Sequence, residues 1–246
     1  MDMAQVAAMR RTRLSWVGGQ VLLVALGVFC YFRVRGLTEA SPGVARTHAR
    51  HLIGLEQGLH LDVEARVQRP VASTETLEAL ANWVYIWGHW PVLLAVMAWL
   101  VWRHRPQFLR LRDAMVVSGA LGLLVFMSYP VAPPRLTGLG YEDTVTETSQ
   151  AYRYLQPPAF VNQYAAMPSL HVGWDLLAAI AVFSATSSVL VRAWACLMPL
   201  LMAWAVIATA NHFLLDVVAG VVLVLVGHVV SLGLERRRGR RAGHAR

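Results

Sequence analysis

Six apolar stretches, each long enough to cross a hydrocarbon core of roughly 30 Å, leave this chain few ways to fold. They run 14–32, 77–102, 114–131, 170–190, 193–209 and 213–234. In lipid every backbone N–H and C=O must be satisfied within the segment, so apolar runs of this length are helices. The expected fold is all-α, an integral membrane bundle of six transmembrane helices. Charged residues make up only 15% of the chain, well below a soluble domain's share of about 25%. Arg10, Arg11 and Arg13 precede the first stretch as they would in a secretory leader. The run is long, however, Arg33 and Arg35 come directly after it, and no small-x-small cleavage site is seen, so it is read as a span.

The basic residues orient the spans. All 22 are arginine, and placing the N-terminus in the cytoplasm puts 14 of them on that side, including the run Arg236 to Arg241. Both termini are then cytoplasmic, in a multi-pass protein of the plasma membrane. The segments 33–76 and 132–168 fall outside, where Glu39, Glu56, Asp62, Glu64, Glu142 and Asp143 offset their arginines. The net charge of +8 is spread over short segments beside membrane helices. There it contacts anionic lipid, and no nucleic-acid partner is expected. Cys30 and Cys196 both fall within spans and are read as packing residues.

One domain is expected, in three parts. Residues 1–76 hold the first transmembrane helix and an amphipathic segment on the outer surface. Residues 77–235 form a five-helix catalytic core, and 236–246 a basic cytoplasmic tail. In the amphipathic segment His51, Leu52, Ile53, Leu55, Leu59 and Leu61 make an apolar face, with Arg50 and Glu56 opposite.

Ionisable side chains at membrane depth mark function by default. Two histidines here each have an aspartate four residues later: His171 with Asp175, and His212 with Asp216. Four residues is one helical turn, so each carboxylate can accept from its imidazole if both project the same way. Such a partner fixes the tautomer and makes the other ring nitrogen a better nucleophile. Pro168 and Ser169 mark a helix start, which places His171 beside unpaired N–H groups that favour an anion.

Two histidines at one depth are equipped for in-line displacement at phosphorus, one attacking and the other protonating the leaving oxygen. The equatorial oxygens also need cations or N–H donors. Arg135, held by Pro133 and Pro134 where a span leaves the bilayer, is the candidate. Glu78, Asn82, Tyr85 and His89 recur at spacings of three and four and form a polar stripe that lines either a head-group cavity or a wet interhelical seam. His228 is read as packing.

Together these elements resemble the type 2 phosphatidic acid phosphatase superfamily. Pro168-Ser169-x-His171 and His212-x-x-x-Asp216 resemble its second and third signature motifs. Ala165 to Val172, the Pro133-Pro134-Arg135 exit and Thr209-x-x-His212 resemble the bacterial branch related to inositol phosphorylceramide synthases. The likeness runs from about Asn82 to Gly220. It implies a lipid phosphotransferase or phosphatase without cofactor or metal, acting through phosphohistidine on a membrane lipid phosphate. Water, a polyol or a lipid alcohol is the acceptor.

Carried over residue by residue, the resemblance makes His212 the nucleophile, Asp216 its orienting carboxylate and His171 the general acid. Arg135 stands where a phosphate-binding arginine belongs, and Ser169, Asn82, Tyr85 and His89 join it as substrate-binding candidates. The chain departs from the phosphatase pattern at three places. Arg69-Pro70 matches only the end of the first motif, Leu170 replaces a glycine, and Ala205-Val206 stands where Ser-Arg is usual. Asp175 is not part of the family pattern; it is expected either to orient His171 or to be a polar residue in a wet cavity, and is counted among the substrate-binding candidates. A metal-dependent hydrolase using two His and two Asp, and a proton-coupled transporter, remain the other function classes.

Overall fold

Prolines and glycines punctuate the helices. The computed structural model describes residues 3–37, 40–148 and 162–244, and every regular element among them is helical. The order is α1 (Met3–Leu37), α2 (Pro42–Gly58), α3 (Glu64–Ala72), α4 (Glu75–Trp87), α5 (Trp90–Arg103) and α6 (Arg105–Ser128). Next come a 3-10 turn (Pro134–Leu136) and α7 (Thr144–Thr148), then α8 (Leu170–Ala185), α9 (Val189–Ala208) and α10 (Leu214–His244). Proline opens α2, α5 and α6, where its missing N–H costs nothing and its fixed φ suits a first helical turn.

Four helices are long and apolar enough to cross a membrane: 11–37 of α1, all of α6, all of α9 and 214–241 of α10. The expected span 77–102 is instead two helices, α4 and α5, bent by 40° at Gly88 and His89. The break has a local cause. A Cβ at Gly88 would lie 2.4 Å from the Val84 carbonyl oxygen, and Pro91 then withholds a donor from the turn. The expected span 170–190 shrinks to α8, which is 16 residues and about 24 Å long at ~1.5 Å per residue. Four of the six expected spans are thus single helices long and apolar enough to cross, five with the bent pair counted as one, and α8 is a shorter apolar helix. Helix α10 continues through the basic residues 236–241 to His244.

The outside of the bundle is apolar, as lipid requires: Val21, Leu22, Val189 and Leu190 are all exposed. Lipid tails are as apolar as leucine, so helices associate here through close packing and buried hydrogen bonds. α8 sits at the centre against α6, α9 and α10. Trp174 of α8 donates its indole N–H to Ser118 Oγ of α6 at 3.1 Å. Gly220 lets α10 approach the start of α8, since a Cβ there would fall 2.2 Å from the Ser169 carbonyl oxygen. Far from this contact, Arg110 donates twice to the Glu235 carboxylate, each bond 3.1 Å, tying the start of α6 to the last turns of α10.

Residues 42–58 of the amphipathic segment form α2. Its buried face is Ala45, Ala49, Leu52 and Glu56, while Leu55 and Leu59 are exposed. Glu56 points inward because its partners are backbone N–H groups of α10 rather than water.

Candidate active site

The N-termini of α8 and α10 meet beside the loop after α6. Ser169 N–H donates to the Asp216 carbonyl at 2.9 Å, which locks the two ends together. This contact brings His171 and His212, 41 positions apart in the chain, to one cavity with 6.0 Å between ring centroids. Both are buried or nearly so, and the cavity encloses about 750 Å³ including its open mouth.

His212 sits in a tight turn between α9 and α10. Its N–H and that of Asn211 both donate to the Val206 carbonyl at 3.0 Å, and Ala210 adopts φ +51°. A left-handed alanine costs on the order of 1 kcal/mol or more and persists only where its surroundings hold it. His212 Nδ1 lies 3.5 Å from Asp216 Oδ2. That is within ion-pair reach but makes no hydrogen bond, and the same oxygen accepts the Phe213 N–H at 2.9 Å. Catalytic pairs without substrate are often this loose. With Nδ1 facing the carboxylate, Nε2 is left for chemistry.

Arg135 stands on the 3-10 turn and lines the cavity. Its Nε donates to Asn211 Oδ1 at 3.1 Å, its backbone N–H donates to the Ala210 carbonyl, and Asp143 lies 3.7 Å away. Asn211 in turn donates through Nδ2 to Thr209 Oγ1 at 2.9 Å. The neighbour of the candidate nucleophile thus orients the candidate phosphate-binding arginine.

The polar stripe divides. Tyr85 and His89 line the cavity, their rings 5.1 and 4.7 Å from the His171 ring. Asn82 does not line it; its Nδ2 donates to the Thr144 carbonyl at 3.1 Å and ties α4 to α7. Ser169 is fully buried against α10 and is likewise absent from the wall, which Pro168 and Leu170 supply instead.

Asp175, read either as orienting His171 or as a polar residue in a wet cavity, has His89 as its partner. Asp175 Oδ1 accepts from His89 Nδ1 at 2.7 Å, both side chains being buried, and Asp175 borders a small apolar space beside Val92, Val96 and Met198. One turn along α8 does bring Asp175 to the level of His171, but the break at Gly88 delivers His89 closer.

Asn211 and Arg35 are among the cavity residues that sequence reading did not single out. Asn211 was visible only as a spacer within the His212 motif. Arg35, at the end of α1, reaches the wall across about 90 positions from its cation–π neighbour Phe126, whose ring centroid is 5.9 Å from the guanidinium carbon. No local spacing could have signalled it.

A helical membrane bundle with paired histidines at the meeting of two helix N-termini defines the class. The PAP2 superfamily profile matches residues 50–230, and the chain belongs to that superfamily. The crystal structure of Aquifex aeolicus LpxE is similar at TM-score 0.51 and 17% identity, over 70% of this chain and 93% of that one, a likeness of fold. No curated protein matches the sequence.

Proposed function

We propose that this chain is a membrane-embedded lipid phosphotransferase or phosphatase that works through a phosphohistidine. Superfamily membership supports lipid phosphatase or phosphotransferase activity. The observation that carries the mechanism is the pair of imidazoles 6.0 Å apart, one backed by Asp216, beside Arg135.

In this reading His212 Nε2 attacks phosphorus, the bond from phosphorus to the lipid oxygen breaks, and His171 gives that oxygen its proton. The acceptor hydroxyl then attacks the phosphohistidine, returns a proton to His171 and frees His212. Arg135 stabilises the equatorial oxygens in both steps. No metal takes part, so EDTA should leave the rate unchanged. The termini are cytoplasmic and the cavity opens on the extracytoplasmic side.

The finer reading is the inositol-phosphorylceramide-synthase-like one, transfer of a substituted phosphoryl group to a polyol or lipid alcohol. It is supported by Leu170 in the second motif and by Ala205-Val206 ahead of the third. The second reading is plain hydrolysis of phosphatidate or prenyl phosphate, the two differing in how well the cavity excludes water once phosphohistidine has formed.

The test is phosphate release and head-group exchange by purified protein on phosphatidic acid, prenyl phosphates and phosphatidylinositol, with and without alcohol acceptors. Release without an acceptor marks a phosphatase; turnover only with one marks a transferase. His212→Ala should lower either rate by at least about 10³-fold. Activity surviving in that variant sinks the mechanism.

A further inference from the structure

Glu56 and Glu64 lie outside the proposed chemistry, yet they are 1% and 2% exposed. Buried carboxyl groups need donors, and these find them in the backbone at the start of α10. Leu214 N–H donates to Glu64 Oε1 and Leu215 N–H to Glu56 Oε1, each at 2.8 Å. Phe213 N–H donates to Asp216 Oδ2 at 2.9 Å. A helix cannot satisfy its own first N–H groups, and its dipole favours negative charge there. Three consecutive orphan donors, beginning one residue after His212, are thus each held by a carboxyl group.

Resting on the reading of His212 as nucleophile, we propose that Glu56 and Glu64 are positioning residues that clamp the first turn of α10 and so aim the His212 imidazole at phosphorus. Neither borders the cavity, so they act through the backbone rather than on substrate. The α2–α3 segment becomes part of the catalytic apparatus. Helix α2 is tied on its other side as well, since the Ala45 carbonyl accepts from Ala132 N–H at 3.1 Å in the loop leading to Arg135.

Three carboxyl groups around one turn cannot all ionise cheaply. Burial pushes the Glu56 carboxyl up to about 8, opposed by the Leu215 N–H and reinforced by the charges of Glu64 and Asp216. The groups facing it are Glu64 of α3, Asp216 of α10 with His212 behind it, and Tyr141 of the loop before α7. Tyr141 shares this acidic surrounding, its hydroxyl raised by burial and by Glu64, Glu56 and Asp62. At neutral pH Glu56 holds a proton. When it is lost, a further negative charge appears beside Asp216 and the clamp loosens.

The experiment compares full-length wild type, E56A, E64A, E56Q and H212A in detergent. It measures kcat and KM on dioctanoyl phosphatidic acid from pH 5 to 9, trapping of labelled phosphoenzyme, and hydrogen exchange at the amides of 213–215. Either alanine variant should lower kcat about 10- to 100-fold, the scale of a small misplacement. KM should stay within about threefold, and exchange at those amides should quicken. E56Q keeps the acceptor oxygen and cannot ionise, so it should restore kcat at pH 7 and remove the fall in kcat near pH 8. Alanine variants with wild-type kcat and exchange overturn the proposal. So does an E56Q that keeps the alkaline fall, and that comparison stands even if E56A does not fold. Phosphoenzyme in an active H212A would defeat the nucleophile reading alone, with the exchange data still deciding whether the clamp exists.

Discussion

His212 is served by carboxyl groups from two very different places. Asp216 comes from the first turn of α10, four residues on from His212, while Glu56 and Glu64 come from a segment 159 and 150 positions away from the N–H groups they accept. The local carboxylate addresses the ring and the distant pair addresses the backbone beneath it. Closeness in the chain, across the turn into α10, brings Asp216 near the imidazole. Bringing Glu56 and Glu64 there requires α2 and α3 to fold back over the bundle, so the whole outer segment is committed to holding one turn. A membrane enzyme whose helices gain little from the hydrophobic effect in lipid has reason to fix its site with buried hydrogen bonds.

The comparison is sharpened first at Arg135, which both regions approach. Arg135→Ala should lower kcat/KM by about 10²-fold, the usual cost of one transition-state donor. Arg135→Lys should recover little of it, because Asn211 orients a planar fork that an ammonium cannot reproduce. A lysine variant at full activity would make Arg135 a mere counter-charge.

Gly220→Ala tests whether helix contact or the glutamate clamp sets the site. Its new methyl would meet the Ser169 carbonyl at 2.2 Å, so the start of α8 must move. A loss of about 3 kcal/mol in stability is expected from overpacking, read as a lower Tm in detergent. An unchanged Tm and kcat would show that the α8–α10 contact is slack.

Asp175→Asn has a smaller effect. It leaves His89 a neutral acceptor in place of a carboxylate, at about 1 to 2 kcal/mol of stability. If the His89 pair only supports the wall, kcat should fall with Tm and no further. A kcat loss exceeding tenfold at unchanged Tm would bring the pair into the chemistry.

The last effect is the pH dependence of stability. Folding raises Glu56 from its ordinary 4.5 to about 8, so the folded protein holds a proton that the unfolded chain gives up. Its stabilisation is complete below about pH 4.5 and is lost as pH rises to about 8. Against E56Q, the Tm of wild type should therefore fall between pH 5 and 8 and level off above. A difference in Tm that stays constant across that window would place the proton elsewhere.

The amphipathic pattern of α2 shows why the outer region resisted reading. Leu55 and Leu59 mark an apolar face and are exposed, while Glu56, placed opposite them by the pattern, is buried. Hydrophobicity sorts sides only when water is the alternative, and it misleads where the interior offers unpaired N–H groups. Asp175 was left between two roles for a related reason. Its spacing from His171 was sound, but the bend at Gly88 and His89 brought a nearer imidazole from another helix.

What local sequence carried was short-range: an all-helical membrane chain, from the length of its apolar runs, and two histidine–aspartate motifs, each confined to a few residues. Tertiary structure alone decided the rest. It set which apolar runs are whole and which are bent or short, joined Asn211 to Arg135, gave Asp175 to His89, and turned Glu56 and Glu64 onto the backbone of α10. A hydrogen bond depends on direction as well as reach. The direction of a side chain relative to a helix 150 positions away is set by packing, and no local spacing carries it.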